Sequence, residues 1–196
     1  MTINIYPHPS LRLPNEEVLL SELVAPDPSK EAEETEDPTK VMKETIETLF
    51  SIMYASSGCG LAAPQVGINK RVLVFNPTGS KANRHEERVY INPEIYETSA
   101  TTEVEEEACL SFPGFGDKKQ LEARVERFKW VRFTALNRKG AKVKRLVKGF
   151  EARVFQHEYD HLEGVCFIDR VIDEDLEDVR EHCRELVEEF GEGGVL

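Results

Sequence analysis

Long hydrophobic runs are missing from this 196-residue chain, and cysteine is scarce. No apolar stretch approaches the roughly 18 residues of a membrane helix, so we expect no membrane partner. Four cysteines, at positions 59, 109, 166 and 183, are too few and too scattered for a disulfide framework and favour reduced thiols. The first six residues lack a charged region followed by a long apolar stretch, so we expect no signal peptide.

The composition is that of a globular protein. Hydrophobic residues make up 40% of the chain and charged residues 32%. A chain of this length can bury a sizeable core, and we expect one domain over residues 1–196.

Charge is distributed unevenly around a net value of −12. Residues 16–47 carry eleven acids against three lysines, and residues 173–196 carry ten acids against two arginines. Residues 118–148 reverse this, with twelve Lys and Arg against two Glu. The basic segment is interpreted either as an ordinary solvated hairpin or as a patch that meets RNA or an acidic partner.

The strongest chemical signal is the run Gln-His-Glu-Tyr-Asp-His at residues 156–161. On a helix, His157 and His161 lie on one face about one turn apart, so both imidazoles can bind one divalent metal. Glu158 can then act as a base toward a metal-bound water. The spacing predicts metal-assisted hydrolysis but leaves the bond and the third protein ligand open. Candidates for that ligand are Cys109, Cys59, Cys166, His8, His85, His182 and many carboxylates.

Apolar spacing predicts three helices. Asp37 and Pro38 suit the start of a helix that ends near residues 57–58. A second helix, from near Phe150 to residues 163–164, would carry the two histidines. The last helix is expected over 173–190, with Asp173 as its cap. Residues 22–38, rich in acid and proline, indicate an exposed loop.

Strands are predicted over residues 71–75, 89–92, 125–136 and 141–147, with a turn at 137–140. The fold class is therefore α+β. We expect antiparallel or mixed sheets around a central helix that carries the metal, with an N-terminal and a C-terminal helix.

Three segments together resemble the peptide deformylase family. Residues 58–65 read Gly-Cys-Gly-Leu-Ala-Ala-Pro-Gln, similar to the family's Gly-x-Gly-x-Ala-Ala-Pro-Gln motif. Residues 107–111, Glu-Ala-Cys-Leu-Ser, resemble its Glu-Gly-Cys-Leu-Ser motif, and residues 156–161 resemble its Gln-His-Glu-x-Asp-His motif. The motifs occur in the family's order, and the similarity extends from about residue 5 to residue 170.

The resemblance implies that Cys109, His157 and His161 bind one divalent metal, usually Fe²⁺ in this family, with Zn²⁺ or Ni²⁺ possible. It implies hydrolysis of the N-formyl group of nascent formyl-methionyl polypeptides, with release of formate. Hydroxide held by the metal would attack, Glu158 would serve as general base and acid, and Gln65 with the Leu110 N–H would stabilise the oxyanion.

Further residues are expected around the substrate. The backbone near Gly60 would pair with the peptide like an added strand. Glu107 is expected to be buried and paired with Arg127, while Asp160 would be structural. The predicted substrate-binding residues are Gly58, Cys59, Gly60, Ala108, Phe150 and Arg153, the last two in an apolar methionine pocket.

Ala108 departs from the family pattern, which has glycine there. If this position needs a positive φ, alanine strains it by roughly 1 kcal/mol or more. An alternative reading is therefore a deformylase-like metal-binding protein with weak or altered activity. A zinc endopeptidase is a third reading, against which the cysteine ligand and the 58–65 motif both argue.

Partners and location follow from the same resemblance. The acidic last helix argues against docking on ribosomal RNA, so the basic 118–148 hairpin is the better candidate for ribosome proximity. We expect a monomer in a bacterial cytoplasm, or in a mitochondrial or plastid matrix.

Overall fold

Two antiparallel sheets and three α-helices make up the chain in a computed structural model, which describes residues 2–24 and 38–191. The five-stranded sheet has the order β1-β2-β3-β6-β7, the two-stranded sheet pairs β4 with β5, and each of these pairings is antiparallel. The α+β class is confirmed. The elements are α1 (Pro38–Ala55), β1 (Gly60–Ala62), β2 (Val72–Phe75), β3 (Arg88–Thr98), β4 (Thr102–Ala108), β5 (Glu122–Phe128), β6 (Trp130–Leu136), β7 (Lys142–Lys148), α2 (Gly149–Leu162) and α3 (Leu176–Phe190).

Helix α2 lies between the two sheets. One side packs on the larger sheet, where the Phe155 ring stacks on that of Phe133 with centroids 3.9 Å apart. The opposite side faces the smaller sheet, where Arg153 and Asp160 contact β5 and His157 contacts β4. Because each side meets a different sheet, ten of its fourteen residues are buried, polar ones included.

The C-terminal end of α2 is set by Gly164. This residue has φ +72°, which favours glycine, and a Cβ would lie 2.8 Å from backbone atoms of Arg12. The predicted stop of the helix is thus confirmed, with the N-terminal segment passing directly over it.

The prediction of one strand over 125–136 is wrong. The strand is interrupted at Lys129, so that β5 and β6 belong to different sheets. Gln156 on α2 occupies the break: its side chain accepts from the Phe128 N–H at 3.0 Å and donates to the Phe128 carbonyl at 2.9 Å. Ser99 Oγ accepts from the Lys129 N–H at 2.9 Å. Side chains distant in sequence therefore end a strand that its own alternation would continue.

Because of this interruption, the prediction of one basic hairpin over residues 118–148 is also wrong. Residues 118–148 form β5 and a separate β6–β7 hairpin. Arg124 is held by Asp175, with Nη2 and Oδ1 2.6 Å apart, and Arg127 is buried. The exposed lysines without an ion pair in the described residues include Lys142, Lys144 and Lys148, all on one side of β7.

The acidic helix starts later than predicted. A 3-10 turn covers Asp173–Asp175, and α3 begins at Leu176. Asp175 holds the N-cap position but gives no side-chain cap, because its carboxylate binds Arg124. Val179 and Leu186 are buried on the expected apolar face.

The predicted loop over 22–38 falls mostly outside the described residues, as does Asp37. Its first part is packed: Leu23 is buried and Glu22 pairs with Lys70. Helix α1 starts at Pro38 and buries Met42, Ile46 and Leu49, as its spacing predicts. No helix in the described ranges is long and apolar enough to cross a membrane.

Candidate metal centre

Cys109, His157 and His161 converge at the centre of the fold. Cys109 directly follows β4, whereas the histidines project from one face of α2. One ligand atom from each residue lies within 4.8 Å of the others, and all three residues are buried. Cys109 Sγ is 3.4 Å from Nε2 of His161. A thiol and two imidazoles are a donor set suited to Zn²⁺, Fe²⁺ or Ni²⁺.

The orientation of His157 is set by Glu107. Nδ1 of His157 lies 2.9 Å from Oε2 of Glu107, which leaves Nε2 as the nitrogen that faces the cluster. Although burial lowers the pKa of His157, its hydrogen bonds to Cys109 and Glu107 raise that pKa well above the ordinary value. Burial lowers the pKa of His161, and the charge of His157 lowers it further, which favours the neutral form that binds metals.

A buried ion network supports Glu107. Arg127 Nε and Nη2 donate to its two oxygens at 2.9 and 3.0 Å, and Arg153 Nη1 donates to Oε1 at 2.7 Å. Although burial raises the pKa of Glu107, its hydrogen bonds with His157 and Arg127 and the charges of those two residues bring the pKa well below the ordinary value. The predicted pair of Glu107 and Arg127 is confirmed.

Asp160 joins this network from the same side of α2, three residues after His157. It accepts from Arg127 Nη1, and from Arg170 Nε and Nη2 at 2.5 and 2.7 Å. Asp160 is not part of the Cys-His-His group. Its contacts tie α2 to β5 and to the segment after α2, as expected of a structural residue.

Glu158 stands apart from these ion pairs. It is 4% exposed, and its Oε2 has no hydrogen-bond partner among the described residues. Burial raises the pKa of its carboxyl to about 7, with the Glu107 charge adding to the rise and His157 opposing it. A carboxyl in this range can both accept and donate a proton near neutral pH.

Gly60 makes room for that carboxylate. An ideal Cβ on Gly60 would lie 2.8 Å from Cδ and 2.9 Å from Cγ of Glu158. The need for glycine was predicted, but from the approach of a substrate backbone. The space is already taken by the protein's own glutamate.

Gln65 faces the cluster from the opposite wall. Its Oε1 accepts from the Ala62 N–H at 2.8 Å, which fixes the amide orientation. Its Nε2 then points toward Cys109 Sγ at 3.6 Å and Ser111 Oγ at 3.3 Å. Ser111 did not emerge from the sequence as a site residue, although it is the last member of the 107–111 motif.

A cavity of about 320 Å³ opens onto this centre. One wall is the segment 56–60, the other is 106–110, and α2 forms the floor. β1 and β4 are edge strands, so each presents one unpaired edge in the sheets described. The expected substrate-binding residues Gly58, Cys59, Gly60, Ala108, Phe150 and Arg153 all line the cavity, together with Leu110.

Three of these residues have informative surroundings. Ala108 is exposed, pairs with Glu122 across β4–β5, and has no positive φ. The predicted backbone strain required a positive φ at this position, so alanine causes no such strain here. Phe150 is 54% exposed at the cavity mouth. Arg153 is 3% exposed, and its guanidinium is engaged by Glu107 and Glu105.

Comparisons with known proteins agree with this geometry. A family model for polypeptide deformylases matches residues 2–177. The chain is 43% identical over 155 residues to peptide deformylase 1B, chloroplastic, of Oryza sativa subsp. japonica, covering 79% of this chain and 55% of the rice protein. It is 37% identical to the peptide deformylase of Aquifex aeolicus, with 86% of each covered. A Plasmodium falciparum peptide deformylase structure matches with TM-score 0.81, 37% identity and 96% of each chain covered. The chain thus spans about half the length of the plant relative.

Proposed function

The chain belongs to the polypeptide deformylase family, and we propose that it hydrolyses the N-formyl group of formyl-methionyl nascent peptides, releasing formate. One observation carries this proposal above all: the buried Cys-His-His group lies beside Glu158 and Gln65 at the floor of a cleft with two open strand edges. That arrangement offers a metal, a proton carrier, an amide donor and a place for an extended peptide.

The metal would be held by Cys109, His157 and His161. We propose Fe²⁺ as the native ion, with Zn²⁺ or Ni²⁺ as substitutes, because thiolate and imidazole ligands accept all three. When bound, such an ion lowers the pKa of water and polarises a carbonyl group. Glu107 supports the site by holding His157 through Nδ1.

The peptide backbone would lie between β1 and β4. Gly58, Cys59 and Gly60 offer backbone groups on one side, and Ala108 offers them on the other. The methionine side chain would point toward α2, against Phe150, Val154 and the aliphatic stem of Arg153. Because the Arg153 guanidinium is already paired, its stem can serve as apolar lining.

Gln65 Nε2 and the Leu110 N–H would donate to the formyl oxygen as negative charge develops on it. Gln65 is preorganised for this by its bond to the Ala62 N–H. Glu158 would accept the proton of the attacking water and deliver it to the leaving amine, a task that suits a carboxyl with its pKa near 7.

The test is formate release from formyl-Met-Ala-Ser by protein kept anaerobic and loaded with iron, with unformylated Met-Ala-Ser as control. Formate from the first peptide alone supports the proposal. Internal cleavage of either peptide would instead indicate an endopeptidase. Bound metal with no formate would indicate the metal-binding reading, for which Ala108 now offers no backbone strain as a cause.

We propose further that the protein is a single-domain monomer that meets the ribosome through its basic face, defined as Lys142, Lys144 and Lys148 on β7. Alternating residues of a strand share one side, so these lysines form a row. Phosphate groups of ribosomal RNA are the complementary partner. We propose a bacterial cytoplasm or an organelle matrix as its location, the latter in line with the name of the rice relative.

A further inference from the structure

We infer that Glu106 makes the residue after the formyl-methionine a specificity determinant, with basic side chains favoured over acidic ones. This inference rests on the proposed function and adds a preference within the same cleft. It concerns a residue that belongs to neither the metal group nor its hydrogen-bond partners.

The argument starts from the open edge of β4. Its one partner in the described sheets is β5, and residues 106–108 line the cavity. A peptide that pairs with this edge is an added strand, so its successive side chains point to opposite sides. The methionine side chain would share the inner side with Glu107, toward α2. The next side chain must therefore share the outer side with Glu106 and Ala108.

The outer side carries more negative than positive charge, because the cation opposite Glu106, Arg124, attracts it across the strands but is bound to another carboxylate. Glu106 is exposed and makes no ion pair with any described residue. Its cross-strand neighbour Arg124 is already held by Asp175 through Nε, Nη2 and the backbone N–H. Glu122 lies opposite Ala108 and adds a second carboxylate.

Glu106 differs from its two acidic neighbours in the sequence, because each of them forms an ion pair with an arginine. Glu105 is paired with Arg153 Nε at 3.0 Å, and Glu107 is paired with Arg127 and Arg153. Of these three consecutive acids, Glu106 is the one whose charge remains available to a ligand. Facing residues of neighbouring strands interact directly. A lysine after the formyl-methionine would therefore be attracted by Glu106 and bind more tightly, whereas a glutamate there would be repelled and bind more weakly.

The expected preference for lysine over glutamate at this position is roughly fivefold in kcat/KM, since such pairs contribute modestly at an exposed rim. The second side chain lies outside the reacting bond, so its contact is the same in ground and transition states. The preference should therefore appear in KM, with kcat unchanged. It should weaken as salt is raised from about 50 to about 500 mM.

The experiment measures formate release from formyl-Met-X-Ser, with X as Lys, Ala or Glu. We expect the wild type to favour Lys, Glu106→Gln to lose most of this preference, and Glu106→Lys to invert it. Glu126→Gln is the matched control, because Glu126 lies on the same outer side opposite Val104 but does not line the cavity. This control removes the same charge and should leave the preference intact.

Equal KM values for the three peptides with the wild type would overturn the inference while leaving deformylation established. Equal effects of Glu106→Gln and Glu126→Gln would overturn it too, since the preference would then reflect overall charge. A failure to release formate from any of the peptides would instead count against the proposed function itself.

Discussion

Gly60 and Glu158 occupy adjoining space, because a Cβ on Gly60 would lie 2.8 Å from the carboxyl carbon of Glu158. The glycine sits at the start of edge strand β1, whereas the glutamate projects from α2. Their contact joins the wall of the cleft to the group proposed to carry the proton.

Replacing Gly60 by alanine should therefore displace the Glu158 carboxylate. We expect kcat to fall by roughly 10- to 100-fold, because a small displacement of a catalytic group is costly, while metal content stays at the wild-type level. Kinetics of formate release together with elemental analysis of the purified protein checks this. Gly116→Ala is a control for backbone strain alone, since its φ is +55° but its Cβ would meet nothing within 4 Å. Equal kcat values for Gly60→Ala and the wild type would contradict the steric argument.

Glu158→Gln should abolish proton transfer without disturbing the fold. We expect kcat to fall by about 10²–10⁴. Stability should be unchanged or higher, because a buried neutral amide has a smaller desolvation cost than a buried carboxylate. Formate release and thermal melting measure the two effects, with Glu163→Gln as a control outside the cavity. Retained activity would show that another group carries the proton.

Ala108→Gly should change kcat/KM by no more than about twofold. Ala108 has no positive φ, so glycine relieves no strain, and its Cβ is exposed at the rim. Steady-state kinetics on formyl-Met-Ala-Ser gives the answer. A large increase in kcat/KM for Ala108→Gly would instead indicate that alanine at this position limits activity.

Arg127→Met should destabilise the protein by about 3–5 kcal/mol, because it leaves the buried carboxylates of Glu107 and Asp160 without their shared partner. Arg132→Met removes an exposed pair with Glu97 and should cost about 0–1 kcal/mol. Chemical denaturation of both variants with metal held constant makes the comparison. Similar losses for the two arginines would mean that the buried network does not stabilise the fold.

Replacing all three lysines of the basic face by glutamate should weaken ribosome binding by at least about tenfold and flatten its salt dependence. Co-sedimentation with ribosomes measures this. The single tryptophan, Trp130, lies directly opposite Lys148 and offers a fluorescence signal. A triple glutamate variant of Lys40, Lys43 and Lys81 makes the same charge change elsewhere. Equal weakening by both variants would refute a role for this particular face.

The sequence by itself determined the local geometry. Two histidines four residues apart lie on one face of a helix, and glycine after that helix ends it, because such patterns depend on neighbouring dihedral angles alone. Residue order also carried the three motifs, and with them the family. The helix around the histidines and the β6–β7 turn were predicted correctly for the same reason.

The tertiary structure decided everything that depends on distant contacts. The residues alone left Cys59, Cys109 and Cys166 open as third ligand, and only packing of β4 against α2 brings the Cys109 thiol to His161. Gln156 splits a strand that alternation predicted to be continuous. Glycine at position 60 is required by Glu158, 98 residues away in the chain. Such constraints are set by steric contact and buried charge in three dimensions, and no local periodicity encodes them.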